Sequence, residues 1–560
     1  MYRKFYFLFS PFLLFGQTTI HENSYAIDST RSMIVVNQKI TDLNTSYPGE
    51  KATIAIGDNL YALADPVTHF ESGKGYEINL NGKSFTLYFS NLPMIRMTTT
   101  REISDSPKIL GHFEIKVPET PLISSAIGVE YRGATSQSYP KKSMEIEFWL
   151  DDNGNETQEF SLLNLHKGDS YNLQAMYNEK LRINSKTSNE LWQKIYPNVH
   201  YKNDENDAKS GVQMKYADLF LNGEYRGVYA IGEKVNRKLL KLKKNDNTEI
   251  KGELYKGDQW GGATTFTGLI PFDNNSDLWD GYEYKHPKDI IRWENLYNLI
   301  DFVLNEDDET FNAIYSSKLD VDNMVDYFIF LNLIRATDNT GKNIYLAKYK
   351  KDGPYFYVPW DLDGTFGSIW DGTEENVVDD LLFNGLYTRL WQEPGFRSKL
   401  AERWAHLRTN IITKENLAEM LNNNIEKLRN SGVYEREARV WEAYEFAPDM
   451  INYQTNWLGR RIDFLDSIMK SLSTTDAKLK NSSLSIYPNP ASEFFYINPG
   501  NIRNADLQII DFSGMQIFSK KFGNITTQVQ IPLNKIPEGI YFVILKGDAE
   551  VKTARLIVKK

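Results

Sequence analysis

The sequence contains no cysteine. That excludes disulfides, thiolate catalysis and cysteine-bound metal, and it suits an exported bacterial protein that avoids thiols. Histidine is scarce, at seven residues, and neither Gly-x-Ser-x-Gly nor His-Glu-x-x-His occurs, so a hydrolase has no support. Positive charge is in deficit: the formal net charge is −10 and no dominant basic patch appears, which argues against a nucleic-acid partner. No stretch beyond the N-terminus approaches the ~18 apolar residues needed to span a bilayer, so the mature chain is expected to lack a transmembrane helix.

What is present begins with an export signal. Arg3 and Lys4 form a basic start, and 5–16 is an apolar run too short to cross a membrane. Residues 1–20 read as a signal peptide cleaved soon after Gly16. Short strand-like runs come next at 33–36, 52–56, 76–80 and 84–89, with Asn81-Gly82 as a hairpin turn, so 21–90 reads as a small β-rich domain without evident chemistry. Aromatic content is high at 13%; packing is its default explanation.

The most informative stretch is 335–366, RATDNTGKNIYLAKYKKDGPYFYVPWDLDGTF. Residues 343–349 and 355–360 read as two strands joined at Asp352-Gly353, a strong hairpin signal. A two-residue turn there places Asn343 opposite Leu362, one residue from Asp361. Opposed side chains lie ~5 Å apart at Cβ. The open end of the hairpin therefore gathers Asn343, Asp361 and Asp363, with Asp338 just upstream. Oxygen ligands of this kind suit Mg²⁺ holding a nucleotide. The five-residue offset from Asp338 to Asn343 equals that between the catalytic Asp and the metal-binding Asn of protein kinases.

These residues resemble the CotH kinase family, which carries an Asp-containing loop, a strand with Asn-x-Tyr-Leu and a Trp-Asp-x-Asp-x-x-Phe-Gly turn. Here those are Asp338, 343–346 and 360–367. The resemblance extends over 91–472. It implies an α+β, atypical protein-kinase-like two-lobed fold and transfer of phosphate from ATP to Ser or Thr of an exported protein. Asp338 is the implied catalytic base, with Asn343, Asp361 and Asp363 holding Mg²⁺ or Mn²⁺.

Further motifs of the family occur upstream. Residues 130–148 contain an Arg-Gly loop followed by Pro-Lys-Lys and a strand. Arg132, Gly133, Thr135 and Ser136 offer a charge, close backbone approach and hydroxyls, all suited to phosphate. Lys141 or Lys142 could reach the nucleotide phosphates. Strand alternation puts Lys142 on the side of Met144, Ile146 and Phe148 and favours it. The glycine-rich Gly-x-Gly-x-x-Gly lid of ordinary kinases is absent. Residues 178–195 read as a helix whose Glu179 or Glu190 would pair with the lysine. Residues 215–235 read as a hairpin over Asn222-Gly223 that ends in Glu233-Lys234, the candidates for contact with the nucleotide base. The segment 151–155 tempts a calcium reading but is simpler as a turn. The polar, lysine-rich 236–285 reads as an insertion that could bind substrate. From 287 the pattern turns helical, with 321–334 expected as a buried central helix, further helices at 290–304, 396–410, 413–430, 435–446 and 454–472, and Trp391, Trp404, Trp441 and Trp457 in the core.

Residues 473–482 read as a polar linker and 483–560 as a β-sandwich of short strands. The Tyr-Pro-Asn-Pro start, the Pro-x-Gly-Ile-Tyr strand and the basic end resemble the type A sorting domain of type IX secretion in Bacteroidetes-like bacteria. That implies engagement of the secretion machinery and a secreted or outer-membrane-surface location. The rival to an exported kinase is a surface binding or adhesion protein that keeps the scaffold without turnover.

Overall fold

A computed structural model describes residues 18–46, 49–246, 249–475, 484–500, 502–511, 515–548 and 551–560. The expected signal peptide lies outside the described residues up to 17, and the expected linker does so from 476. Thr18–Ile20 pairs in parallel with Lys51–Ile56, so the N-terminal sheet begins within the segment expected as signal peptide. At the other end, helix Asp449–Thr475 runs into the expected linker.

Seven strands form the N-terminal sheet, in the order Thr18–Ile20, Lys51–Ile56, Asn59–Val67, Gly75–Leu80, Lys83–Phe89, Met33–Val36 and Tyr25–Asp28. Asn81 and Gly82 take positive φ values of 50° and 82°, as a tight hairpin turn requires. A buried polar cluster ties the sheet to more distant parts of the chain. Asp28 accepts from Tyr225 N, and Asp218 accepts from Ser90 Oγ, Tyr225 OH and Arg436 Nη2.

The next seven strands close into a barrel: Ile123–Tyr131, Met144–Trp149, Ser170–Gln174, Glu224–Gly232, Met214–Leu221, Met94–Thr99 and Ile109–Lys116. Alternation decides the two faces. Met144, Ile146, Phe148, Tyr171 and Leu173 fill the barrel core. Glu145, Glu147, Ser170, Asn172 and Gln174 therefore face outward, onto a broad cleft.

Helix Val321–Ile334 is apolar nearly all round and is buried from Asn323 to its end, as its sequence predicts. Asp320 caps its start by accepting from Asn323 N, and Arg335, at φ 51°, ends it in the left-handed conformation. Around it lie helices Asn184–Ile195, Pro394–Asn410 and Asp449–Thr475 and the strand Tyr355–Pro359. Helices Glu294–Asn305 and Lys414–Arg429 also fall where periodicity places them; the helix expected at 435–446 is the shorter Val433–Val440, with 441–446 non-helical; and Asp308–Lys318 and Gly385–Gln392 are additional. Trp391, Trp404 and Trp457 are core residues, but Trp441 is only half-buried.

The segment expected as an insertion is integral to the fold. Glu253–Gly257, Leu278–Trp279 and Tyr282–His286 join Ile344–Lys348 and Tyr355–Pro359 in one five-stranded sheet. Leu254, Tyr255, Tyr282 and Tyr284 anchor it in the main core. These few apolar residues are scattered among lysines and loops, so no periodicity announces them. The tail forms a three-stranded and a four-stranded sheet that share one core, including Phe495, Ile497, Leu507, Val543 and Leu556. The chain is thus a mixed α+β structure with several sheets and, among the described residues, 12 α-helices. No described helix is long and apolar enough to cross a membrane.

Candidate functional site

The hairpin at the centre of the sequence forms, with a shifted register. Ile344 pairs with Pro359 and Lys348 with Tyr355, so Asn343 lies opposite Trp360 rather than Leu362. The connection is the longer segment 349–354, in which Asp352 takes φ 60° and Gly353 N donates to Lys350 O at 3.0 Å. Pro354 has no N–H for the ladder, which widens the turn. A shift of two residues keeps every side chain on its face, and Asn343 remains beside the Trp360-Asp361 end.

Both strands stop by a turn into left-handed backbone, at Asn343 (φ 54°) and Asp361 (φ 53°). Such conformations cost non-glycine residues ~1–2 kcal/mol each, so neighbouring contacts must hold them. Asn339 does so: its Nδ2 donates to Asn343 O and to Trp360 O, both at 2.7 Å. Tyr327, on the central helix, donates from its hydroxyl to Asn339 O at 2.9 Å. The helical turn Thr337–Thr340, which carries Asp338, is thereby pinned to both hairpin ends and to the core.

Between this hairpin end and the outer face of the barrel lies a cleft of about 940 Å³. Asp338, Asn343, Asp361 and Asp363 line it from one side, and Arg132, Lys141 and Lys234 from elsewhere on its wall. Lys142 and Glu233 are not among its lining residues.

The side chains of Asp338, Asn343 and Asp361 make no hydrogen bond or ion pair within the chain among the described residues. Asp363 differs: Asn178 Nδ2 and Gly364 N donate to it at 2.7 Å and 2.9 Å. Burial raises the Asp338 carboxyl above its usual range, Lys342 pulls it back, and Asp361 pushes it up again. Burial, and then Asp361, raise Asp363 far more. Asp338 and Asp363 therefore both feel the charge of Asp361. Among the described residues no three His, Cys, Asp or Glu are grouped so as to hold a metal ion.

Arg132 donates to Gln174 Oε1 at 2.8 Å, lies over the Trp360 ring at 5.2 Å and, among the described residues, has no carboxylate partner. Lys141 is wholly buried; its Nζ donates to Glu437 Oε1 at 2.7 Å and to Val228 O at 2.6 Å. Lys142 turns away, donating to Gln137 O and lying over the Tyr131 ring. The alternation argument for Lys142 does not reach it, because the strand begins at Met144 and both lysines precede it. Glu233 is buried, with both oxygens bound to backbone N–H groups of His166 and Gln213. Lys234 lies at the cleft, paired with Glu145 at 2.6 Å. The 151–155 segment is a turn closed by Asn153 N donating to Asp151.

Neither glutamate of the predicted helix partners the lysine. The helix starts only at Asn184. Glu179 accepts from Ser185, and Glu190 pairs with Lys186 and Asn424. The partner is Glu437, nearly 300 residues downstream, which also takes Arg182 Nε at 3.1 Å and Val228 N at 2.7 Å. No sequence signal marks it. Asn339 lies in the polar 337–341 loop around Asp338, and nothing in the sequence singles out it or Lys342.

Residues 129–465 match the family model described as CotH kinase protein. The chain belongs to that family. The match starts within the barrel strand Ile123–Tyr131 and takes in the hairpin, the central helix and the helix bearing Glu437. Residues 485–559 match a secretion system C-terminal sorting domain. No curated protein matches the chain. A CotH family domain with such a tail is a kinase-like protein that is secreted or held at the outer-membrane surface, and the tail implies interaction with type IX secretion machinery.

Proposed function

We propose that this CotH family protein is an exported atypical protein kinase that transfers the γ-phosphate of ATP to Ser or Thr of another exported protein. The barrel and the helical region would be its two lobes, and the tail a β-sandwich sorting domain. One observation carries this reading. Asp338, Asn343 and Asp361 share one cleft, and their side chains are not spent on the fold. All three are part-buried, so their polar atoms are open to a ligand in the cleft.

The residues fit Mg·ATP. Asn343 and Asp361 would hold the metal, with Asp363 as a weaker candidate because Asn178 and Gly364 already occupy its oxygens. Two oxygen ligands without a third carboxylate suit Mg²⁺, which fills its remaining positions with phosphate and water. Mn²⁺ fits the same set. Bound Mg·ATP would supply the transferable phosphoryl group and neutralise its charge. Arg132, a cation without a carboxylate partner among the described residues, would orient phosphate oxygens. Lys141 also lines the cleft, held by Glu437. Asp338, its proton affinity raised by burial, would accept the proton of the acceptor hydroxyl.

The test is transfer of radiolabel from ATP to casein, or to the protein itself, with Mg²⁺ or Mn²⁺. Metal-dependent incorporation is expected in the wild type. It should vanish in Asp338→Ala and Asp361→Ala at an unchanged unfolding temperature. Full activity of Asp361→Ala would remove the metal assignment. ATP binding without any transfer would favour a non-catalytic surface protein instead.

A further inference from the structure

Asn172 is in the middle of strand Ser170–Gln174, paired with Glu145 on one side and Gly232 on the other. Its neighbours Tyr171 and Leu173 enter the barrel core, so its amide faces the cleft that it lines. It is only 3% exposed, yet its Oδ1 has no hydrogen-bond partner among the described residues. Nearby polar groups are already committed. Glu145 takes Lys234 at 2.6 Å and Lys108 at 3.0 Å, Gln174 takes Arg132 at 2.8 Å, and Ser170 Oγ donates to Asp169. In the outward row Ser170, Asn172, Gln174, Asn172 thus presents a buried amide oxygen that no group among the described residues engages.

Position along the strand suggests what the amide meets. Arg132 marks the phosphate end of this wall and is held by Gln174. Asn172 is two residues further on, ~7 Å away along the strand. In a nucleotide the ribose separates base from phosphate by a comparable span. An amide presents an acceptor beside a donor, the complement of adenine's amino group and adjacent ring nitrogen. Glu233, the expected base contact, has both oxygens bound to backbone and lies off the cleft.

We propose that Asn172 reads the nucleotide base, accepting at Oδ1 from the exocyclic amino group of adenine and donating from Nδ2 to the neighbouring ring nitrogen. The assignment rests on the nucleotide-binding reading of the cleft and extends it to the choice of base.

The experiment is titration calorimetry on the full chain with Mg²⁺ and three probes: ATP, purine riboside triphosphate, which lacks the amino group, and inorganic tripolyphosphate. The wild type should bind ATP about ten-fold more tightly than the purine analogue, the scale of one or two buried hydrogen bonds. Asn172→Ala should abolish that preference and leave tripolyphosphate affinity unchanged. Equal wild-type affinity for ATP and the purine analogue would overturn the proposal without needing a folded variant. An undiminished preference in Asn172→Ala, or an equal loss of tripolyphosphate binding, would do the same while leaving the kinase reading intact. A wild type that binds none of the three would overturn both.

Discussion

Lys141 Nζ lies 2.7 Å from Glu437 Oε1, with both side chains wholly shielded from solvent. The contact fastens the barrel's cleft wall to helix Val433–Val440. Burial lowers the Lys141 ammonium to about 8, against the pull of Glu437. Burial alone would raise Glu437, but Lys141 and Arg182 hold it below the usual carboxylate range. The pair is therefore ionised at neutral pH. Removing one member leaves the other buried and under-compensated, at a cost of about 3–5 kcal/mol. Lys141→Met and Glu437→Gln should each lower the denaturation midpoint in urea by that equivalent. The double variant Lys141→Met/Glu437→Gln should lose less than the sum of the two. Additive losses would show that the pair is not coupled.

Gly227 is where the barrel makes room for this contact. Its φ is 90°, and a Cβ there would come within 2.0 Å of Glu437 Oε1 and 3.2 Å of Lys141 Nζ. Gly227→Ala combines backbone strain with displacement of the carboxylate. We predict a loss of about 2–4 kcal/mol, measured by chemical denaturation, together with weakened Mg·ATP binding. A variant as stable as the wild type would show that Glu437 moves aside freely.

Asn339 holds the cleft residues without offering them anything chemical itself. Asn339→Ala removes the donor to both Asn343 O and Trp360 O. Two unsatisfied carbonyls cost about 1–3 kcal/mol. Because the left-handed backbone at Asn343 and Asp361 depends on them, phosphate transfer should fall by at least about ten-fold while the chain stays folded. Unchanged turnover would mean that the hairpin end is held by other contacts.

Glu179 gives the protein a pH signature. Burial raises its carboxyl from 4.5 to about 7, against hydrogen bonds from Ser185 and the charge of Arg182. Its Oε2 has no hydrogen-bond partner among the described residues. The folded state therefore holds a proton that the unfolded chain releases, so this group's contribution to stability falls as pH rises from 4.5 to about 7. Glu179→Gln keeps an acceptor for Ser185 and cannot ionise. It should be near neutral for stability at pH 4.5 and stabilising by on the order of 2 kcal/mol at pH 8, read from unfolding curves at the two pH values. The same effect at both pH values would remove the burial argument.

Much of the fold is legible in the sequence. The central helix showed because its later half is apolar all round, and Val321–Ile334 emerged with the predicted ends. The hairpins at Asn81-Gly82 and Asn222-Gly223 showed because only left-handed residues fit their turns. The gathering of Asp338, Asn343 and Asp361 showed because it depends on short-range pairing, and even a two-residue register error leaves side chains on the same face. The choice between Lys141 and Lys142 failed at the strand's edge, where alternation has no force.

By itself, then, the sequence determined the central helix, the Asn-Gly hairpins, the family motifs and the acidic end of the hairpin, since each depends on local backbone preference and nearest-neighbour pairing. Only the tertiary structure decided that Glu437 holds Lys141, that 253–286 completes the sheet behind the hairpin, and that Asn172 faces the cleft unpaired. Those relationships join segments far apart in the chain. They arise from how closed surfaces pack against one another, which no periodicity along one strand or helix records.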